Sequence, residues 1–303
     1  MNKLNFFQKR DFGENISFSL QFFKQNFLHY FITQYVLSLP IWIGLGVFFY
    51  FSIENFKDIL NFMSLGRVEL SILLFYIISI VIGCYVLCIS YNYHILYINR
   101  GLKNFNYQDV LSETISSYGR ALVAYVFLTV SYLVVSTIFS WFLQFIGIAG
   151  VYILLIVLVA IFTYLVFTVL SVVQKKLNLI DSVKYSITLV RDNWWKTFGV
   201  FFVVFIMSYL LLYIANVIIF FILSFTFISF RSFTSDLVEN KGILIILIVL
   251  FFSLSINIMS MILNTTTFAL YGSLVEEKEG VHLKQNVDKL GTTSDTEKEE
   301  EDF

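Results

Sequence analysis

The stretch Ile180–Phe198, IDSVKYSITLVRDNWWKTF, leads straight into a long apolar run that begins at Gly199. Ile180, Val183, Ile187, Val190 and Trp194 recur at steps of three and four, which puts them on one face of a helix. Lys184, Thr188, Arg191 and Asp192 fall on the opposite side. Asp181 stands just ahead of the periodic run, where a carboxylate meets unpaired backbone N–H groups and the positive end of the helix dipole. Trp194 and Trp195 mark the junction with the apolar run. Indole rings favour the headgroup level of a membrane, because their bodies are apolar and their N–H needs a partner. A helix of this kind is expected to lie in the interface, not to cross it.

The same frame occurs twice upstream. In the first copy Glu14 takes the place of Asp181, and Ile16, Leu20, Phe23 and Phe27 take the places of Val183, Ile187, Val190 and Trp194. In the middle copy the acid is Asp109, followed by Leu111, Ile115, Tyr118 and Leu122. One constant offset per copy aligns all five positions, and each copy runs into a hydrophobic stretch. Three parallel pseudo-repeats are expected, at about 12–100, 107–176 and 179–275.

Hydrophobic residues make up 58% of the 303-residue chain and charged ones only 14%, against roughly 25% charged in a soluble domain. A soluble protein of this length has no means of hiding so much apolar surface. The bilayer must therefore solvate most of the chain. A net charge of −1 without a basic domain gives no reason to expect nucleic acid. The two cysteines, Cys84 and Cys88, lie one helical turn apart inside an expected span. They read as small packing residues, with a two-cysteine metal or redox site as the alternative. The opening MNKLNFFQKRDFGEN has no apolar core or cleavage site, so the first span is expected to direct insertion itself.

Six runs are long enough to cross: Phe27–Phe51, Val68–His94, Arg120–Phe142, Ala149–Val173, Trp195–Phe221 and Ile243–Ala269. The expected fold is all-α, a single polytopic domain over 1–290 with six transmembrane helices and three interfacial amphipathic helices. Pro40, followed by Gly44 and Gly46, predicts a kink in the first span. The uncharged link Gln144–Gly150 predicts that spans three and four are antiparallel neighbours. The run Phe198–Phe230 would reach roughly 50 Å as a straight helix, so its end is expected to project or turn back around Phe225–Ser235. Lys and Arg concentrate in the amino-terminal segment, in the links after spans two and four, and after span six. By the positive-inside rule both termini and all three amphipathic helices are expected on the cytoplasmic side. The acidic tail Gly291–Phe303 is expected to be disordered.

Little in this sequence reads as chemistry. No charged residue falls well inside a span, and His29, His94 and His282 are isolated, at or beyond span edges. No metal-ligand spacing, phosphate loop or nucleophile elbow is found, so neither a metal nor a cofactor is expected. Glu276, Glu277 and Glu279 read as a solvated acidic face, or as partners for nearby lysines. Three uncharged polar stripes stand out: Thr129, Tyr132, Ser136 and Ser140 on span three, Tyr209, Tyr213 and Asn216 on span five, and Ser253, Asn257, Ser260 and Asn264 on span six. They read either as interhelical hydrogen bonds or as a seam that takes a lipid headgroup or small solute. Lys24, Arg120, Lys184 and Arg191, with Trp194 and Trp195, form a candidate collar for anionic lipids or a protein partner.

The run SITLVRDNWWKTFG, Ser186–Gly199, resembles a signature of bacterial six-span membrane proteins. These include the membrane domain of some glycerophosphoryl diester phosphodiesterases. The residues that carry it are Ser186, Leu189, Arg191, Trp194, Trp195, Phe198 and Gly199, and the layout extends the likeness loosely from about Phe12 to Lys289. In those phosphodiesterases the chemistry resides in a separate soluble barrel; no stretch of this sequence reads as one, so that activity is not expected to carry over. The resemblance implies a bacterial cytoplasmic-membrane protein in a supporting role. The function expected is a non-enzymatic scaffold or accessory protein whose collar engages lipid or a membrane protein partner. The alternative is a transporter or channel for a small polar or lipid substrate along a seam between spans three, five and six.

Overall fold

The computed structural model describes residues 4–54, 68–101, 104–143, 148–229 and 241–280. All regular structure among them is helical: α1 (Phe12–Glu54), α2 (Val68–Arg100), α3 (Tyr107–Leu143), α4 (Ile148–Lys175), α5 (Leu179–Val190), a 3₁₀ turn (Arg191–Asn193), α6 (Trp194–Ser229) and α7 (Lys241–Glu279). Among the described residues five stretches are long and apolar enough to cross a membrane: Phe12–Val47, Ile77–Arg100, Tyr107–Trp141, Leu179–Ile218 and Val249–Glu279. This is the architecture of a multi-pass membrane protein. The expected fourth span falls in α4, whose described apolar stretch, Val159–Lys175, is shorter. The largest interfaces pair α1 with α7, α3 with α4, α2 with α3, and α6 with α7. Residues Gln144–Gly147, the end of the Phe225–Ser235 turn and the Gly291–Phe303 tail lie outside the described residues.

Only one of the three amphipathic stretches is a separate helix. In α1 and α3 it forms the opening turns of a helix that continues unbroken into the apolar run. A break occurs only at the 3₁₀ turn between α5 and α6. The expectation of three distinct interfacial helices is corrected accordingly, because nothing at the first two junctions stops the helix. Helix α1 also continues through Pro40. Near the proline, Ser38 Oγ donates to the Tyr35 carbonyl at 3.2 Å and the Tyr85 hydroxyl to that of Leu37 at 3.5 Å.

The three starts share details that the spacing of apolar residues did not reveal. Each is capped by a side chain three positions before the acid. Asp11 Oδ1 accepts from the Glu14 N–H at 2.7 Å, Asn106 Oδ1 from that of Asp109 at 3.0 Å, and Asn178 Oδ1 from that of Asp181 at 2.9 Å. In the first two the acid returns the bond to the cap backbone, both at 2.8 Å, which makes a reciprocal capping box. Burial follows the same register. The first, fifth and eighth residues after the acid are buried in each: Asn15, Ser19 and Phe22; Val110, Thr114 and Ser117; Ser182, Ser186 and Leu189. The second, Ile16, Leu111 and Val183, is half-buried, and the sixth, Leu20, Ile115 and Ile187, is exposed. The protein-facing stripe is therefore rotated from the apolar face the sequence suggests. Small polar side chains point inward, and Ile180 and Ile187 point out.

The segment ahead of α1 is packed into the bundle. Phe6 is fully buried, edge-on to Phe18, Phe22, His94, Tyr97 and Phe268. Arg10, which the charge pattern assigned to topology alone, is buried over the Phe18 ring and donates to the carbonyls of Asn5, Phe6 and Gln8. Its own backbone N–H donates to Ser273 Oγ on α7 at 2.9 Å. Burial pushes the Arg10 guanidinium down to about 10 while the Glu14 carboxylate works the other way, so the group stays charged at neutral pH. Gly272 makes the close approach possible, since a Cβ there would sit 2.5 Å from the Phe6 carbonyl oxygen. Gly272→Val should therefore cost about 1–3 kcal/mol by overpacking. Thermal unfolding of the detergent-solubilised chain measures this, and Gly44→Val, whose Cβ meets nothing within 4 Å, serves as the control.

Candidate functional site

Two regions of the bundle carry polar groups in an arrangement that can bind something. The first is centred on Gln34 of α1, which is fully buried. Its Nε2 donates to Ser260 Oγ at 2.6 Å and to Asn257 Oδ1 at 3.2 Å, both on α7. Its Oε1 accepts from Ser90 Oγ of α2 at 2.9 Å. Ser38 donates to Asn257 Oδ1 at 3.2 Å, and Asn264 Nδ2 donates to Ser90 Oγ at 2.9 Å. One amide thus ties three helices together. Below it, His94 is fully buried against the rings of Phe6, Phe22, Tyr30 and Phe268. The Ser90 carbonyl can only accept, so His94 Nδ1 carries the proton across that 2.6 Å bond. Nε2 is then the acceptor for Thr265 Oγ1 at 3.2 Å. His94 is a core residue, not the span-edge residue expected from its place in the chain. His29, half-buried, meets the Tyr93 hydroxyl at 2.9 Å.

Of the three stripes read from sequence, only that of α7 enters this network. Ser253, Asn257 and Asn264 are buried and Ser260 half-buried; the last three bond across to α1 or α2, and Ser253 bonds the Leu250 carbonyl of its own helix at 2.6 Å. On α3, Ser136 and Ser140 bond the Leu133 and Thr137 carbonyls of their own helix, both at 2.9 Å. On α6, Asn216 bonds the Leu212 carbonyl at 2.7 Å, and Tyr209 and Tyr213 are 58% and 63% exposed. The α7 stripe thus bonds across to α1 and α2, Thr129 and Tyr132 of the α3 stripe face Ser260 and Asn264 across a cavity, and the α6 stripe joins neither among the described residues. Short polar side chains can satisfy themselves on the preceding turn, so a polar stripe does not by itself require a partner helix. Gln34, Ser38 and Ser90 were missed. Gln34 and Ser38, one turn apart in an otherwise apolar run, were the available signal.

Beside this network lies a partly open cavity of about 720 Å³. The α7 wall presents Ser260, Asn264 and Thr267, and the facing α3 wall presents Tyr125, Thr129 and Tyr132. Among the described lining residues none is charged.

The second region is the end of the bundle where the amino-terminal segment, the end of α4, the α5–α6 junction and the end of α7 meet. Glu277 of α7 pairs with Lys9 and Lys196, both at 3.5 Å. Glu279 pairs with Lys175 at 2.7 Å and accepts from the Tyr185 hydroxyl at 2.7 Å. Lys278 pairs with Asp192 at 3.0 Å and donates to the Thr188 carbonyl. Glu277 and Glu279 are thus lysine partners, the second of the two readings of that acidic group. Arg100 pairs with Asp109 at 3.1 Å across the α2–α3 link. Lys24, Arg120, Lys184 and Arg191 are exposed and make no ion pair among the described residues. Trp194 stacks on Phe198 with ring centres 5.3 Å apart, and Trp195 is 77% exposed. At Gly199, the last residue of the motif quoted above, a Cβ would meet the Phe12 ring at 2.9 Å, so the glycine admits the start of α1.

The polar network predicts a sharp asymmetry between stripes. Gln34→Leu strands Asn257, Ser260 and Ser90 inside the bundle and should cost about 1–3 kcal/mol. Ser140→Ala should change stability by less than about 0.5 kcal/mol. Chemical unfolding in detergent micelles compares the two.

No family model matches this chain, and no curated protein or solved structure matches it either. The resemblance carried by Ser186–Gly199 rests on those residues alone.

Proposed function

We propose that this chain is a non-enzymatic scaffold or accessory protein of the bacterial cytoplasmic membrane, with a basic helical collar that holds anionic lipid headgroups on the cytoplasmic side. The reading includes six spans in three parallel pseudo-repeats. Two findings support the repeats: the cap three residues before each acid and the shared burial register. The 28 residues of α4, roughly 42 Å of helix, support a sixth crossing, and an even number of crossings would leave both termini on one side.

One observation carries the collar. Lys9, Lys175, Lys196, Lys278 and Arg100 are taken up by acids of the chain, whereas Lys24, Arg120, Lys184 and Arg191 are left exposed. The second group lies on the amphipathic starts or at the α5–α6 junction, where the Trp195 indole is exposed as well. Basic residues at such a level attract anionic lipid by about 1 kcal/mol each. A protein partner on the same collar is the competing occupant. A second reading, passage of a small uncharged substrate, is favoured by the cavity beside Ser260 and Asn264.

The test places the full chain in nanodiscs of mixed phosphatidylcholine and phosphatidylglycerol and counts retained lipids by native mass spectrometry. Lys184→Glu combined with Arg191→Glu should reduce retained phosphatidylglycerol by roughly tenfold or more, and Asn257→Ala should not. Equal retention in both variants overturns the lipid collar, and a stoichiometric protein lost only from the double variant assigns the surface to a partner.

A further inference from the structure

The cavity lies between two packed groups, α1 with α7 on one side and α2, α3 and α4 on the other. Its volume of about 720 Å³ is in the range that encloses a drug-sized ligand, about 300–1,000 Å³. Two long acyl chains exceed that space; one chain with a compact head does not. Most of the wall is aliphatic or aromatic, and the rim reaches the outer surface at Phe162 and Phe252, 36% and 51% exposed. That surface faces hydrocarbon in a membrane-spanning bundle, so entry is from the bilayer.

The polar groups specify the other end of the ligand. The Trp42 Nε1 is buried at the cavity wall with no acceptor among the described residues. Asn264 spends its amide donor on Ser90, and its carbonyl oxygen has no partner among the described residues. The Tyr132 hydroxyl on the facing wall likewise has none among them. The Tyr125 hydroxyl lies over Gly83, where a Cβ would come within 2.9 Å of it. Donors and acceptors without partners are costly in hydrocarbon and call for a ligand that supplies both. A phosphate or carboxylate would find no cation in this lining.

We propose that this cavity binds an uncharged, hydroxyl-bearing, single-chain lipid of the monoacylglycerol or fatty-alcohol class. Its chain fills the apolar part, and its head lies at the corner formed by Ser260, Asn264 and Thr267. The site rests on the membrane-spanning reading of the helices and is independent of the collar, so the collar double variant should bind this lipid unchanged.

The experiment uses the full chain in detergent micelles with a monoacylglycerol that carries a photoactivatable diazirine near the chain end. Crosslinks should map to cavity-lining residues of α2, α3, α4 or α7. Val86→Phe and Leu263→Phe, which extend the wall from opposite sides, should each reduce labelling at least fivefold. Competition needs no variant that must fold: unlabelled mono-oleoylglycerol should displace the probe at least tenfold better than lysophosphatidylglycerol, which has the same chain and a charged head. Labelling confined to the outward residues Leu133, Val134 and Phe202 would overturn the site. Equal competition by the two lipids would overturn the uncharged head.

Discussion

Hydrocarbon offers no hydrogen-bond partner, and this constraint accounts for most of what the chain does with its polar side chains. Backbone groups are satisfied within helices, the only open-ended structure that can meet the requirement. Side chains have two routes. Serine, threonine and asparagine can bond a carbonyl one turn back, as Ser136, Ser140 and Asn216 do. A longer amide reaches across, as Gln34 does to α2 and α7 at once. The first route leaves a helix free to face lipid, and the second commits it to particular neighbours. The α1–α7 pairing, one of the largest interfaces, lies where the second route is taken.

The charged end of the bundle follows a related logic under wetter conditions. The carboxylates at the end of α7 gather lysines from the amino-terminal segment, from α4 and from α6. Exposed pairs of this kind contribute little each. Their value here is geometric, because they tie the chain's first residues to its last described helix. Phe6 and Arg10 complete that closure from within, through ring contacts and backbone carbonyls. Lys24, Arg120, Lys184 and Arg191 are not drawn into this set among the described residues, and the apolar Ile180 and Ile187 of α5 are exposed as well.

The helical class, the approximate positions of the spans and the recurrence of acid-led amphipathic starts were legible from composition and from steps of three and four. The caps Asp11, Asn106 and Asn178 were also within reach, each three residues before its acid, but no apolar period marks them. The inward face was misread for a physical reason. In a lipid-exposed helix the most apolar stripe belongs outside, and small polar residues such as Ser182 and Ser186 are the ones that permit close packing. Arg10 and His94 were misplaced because position along the chain says nothing about which segment folds back over a helix end.

By itself the sequence determined that this protein is helical and belongs in a bilayer, since its apolar content leaves no other solvent, and it determined which end of the bundle carries the charge. Which polar residues meet, which lysines are spent on acids and where a cavity remains were decided by the tertiary structure. Those outcomes depend on contacts between residues far apart in the chain, such as Gln34 with Asn257 and Phe6 with Gly272, and no local period encodes them.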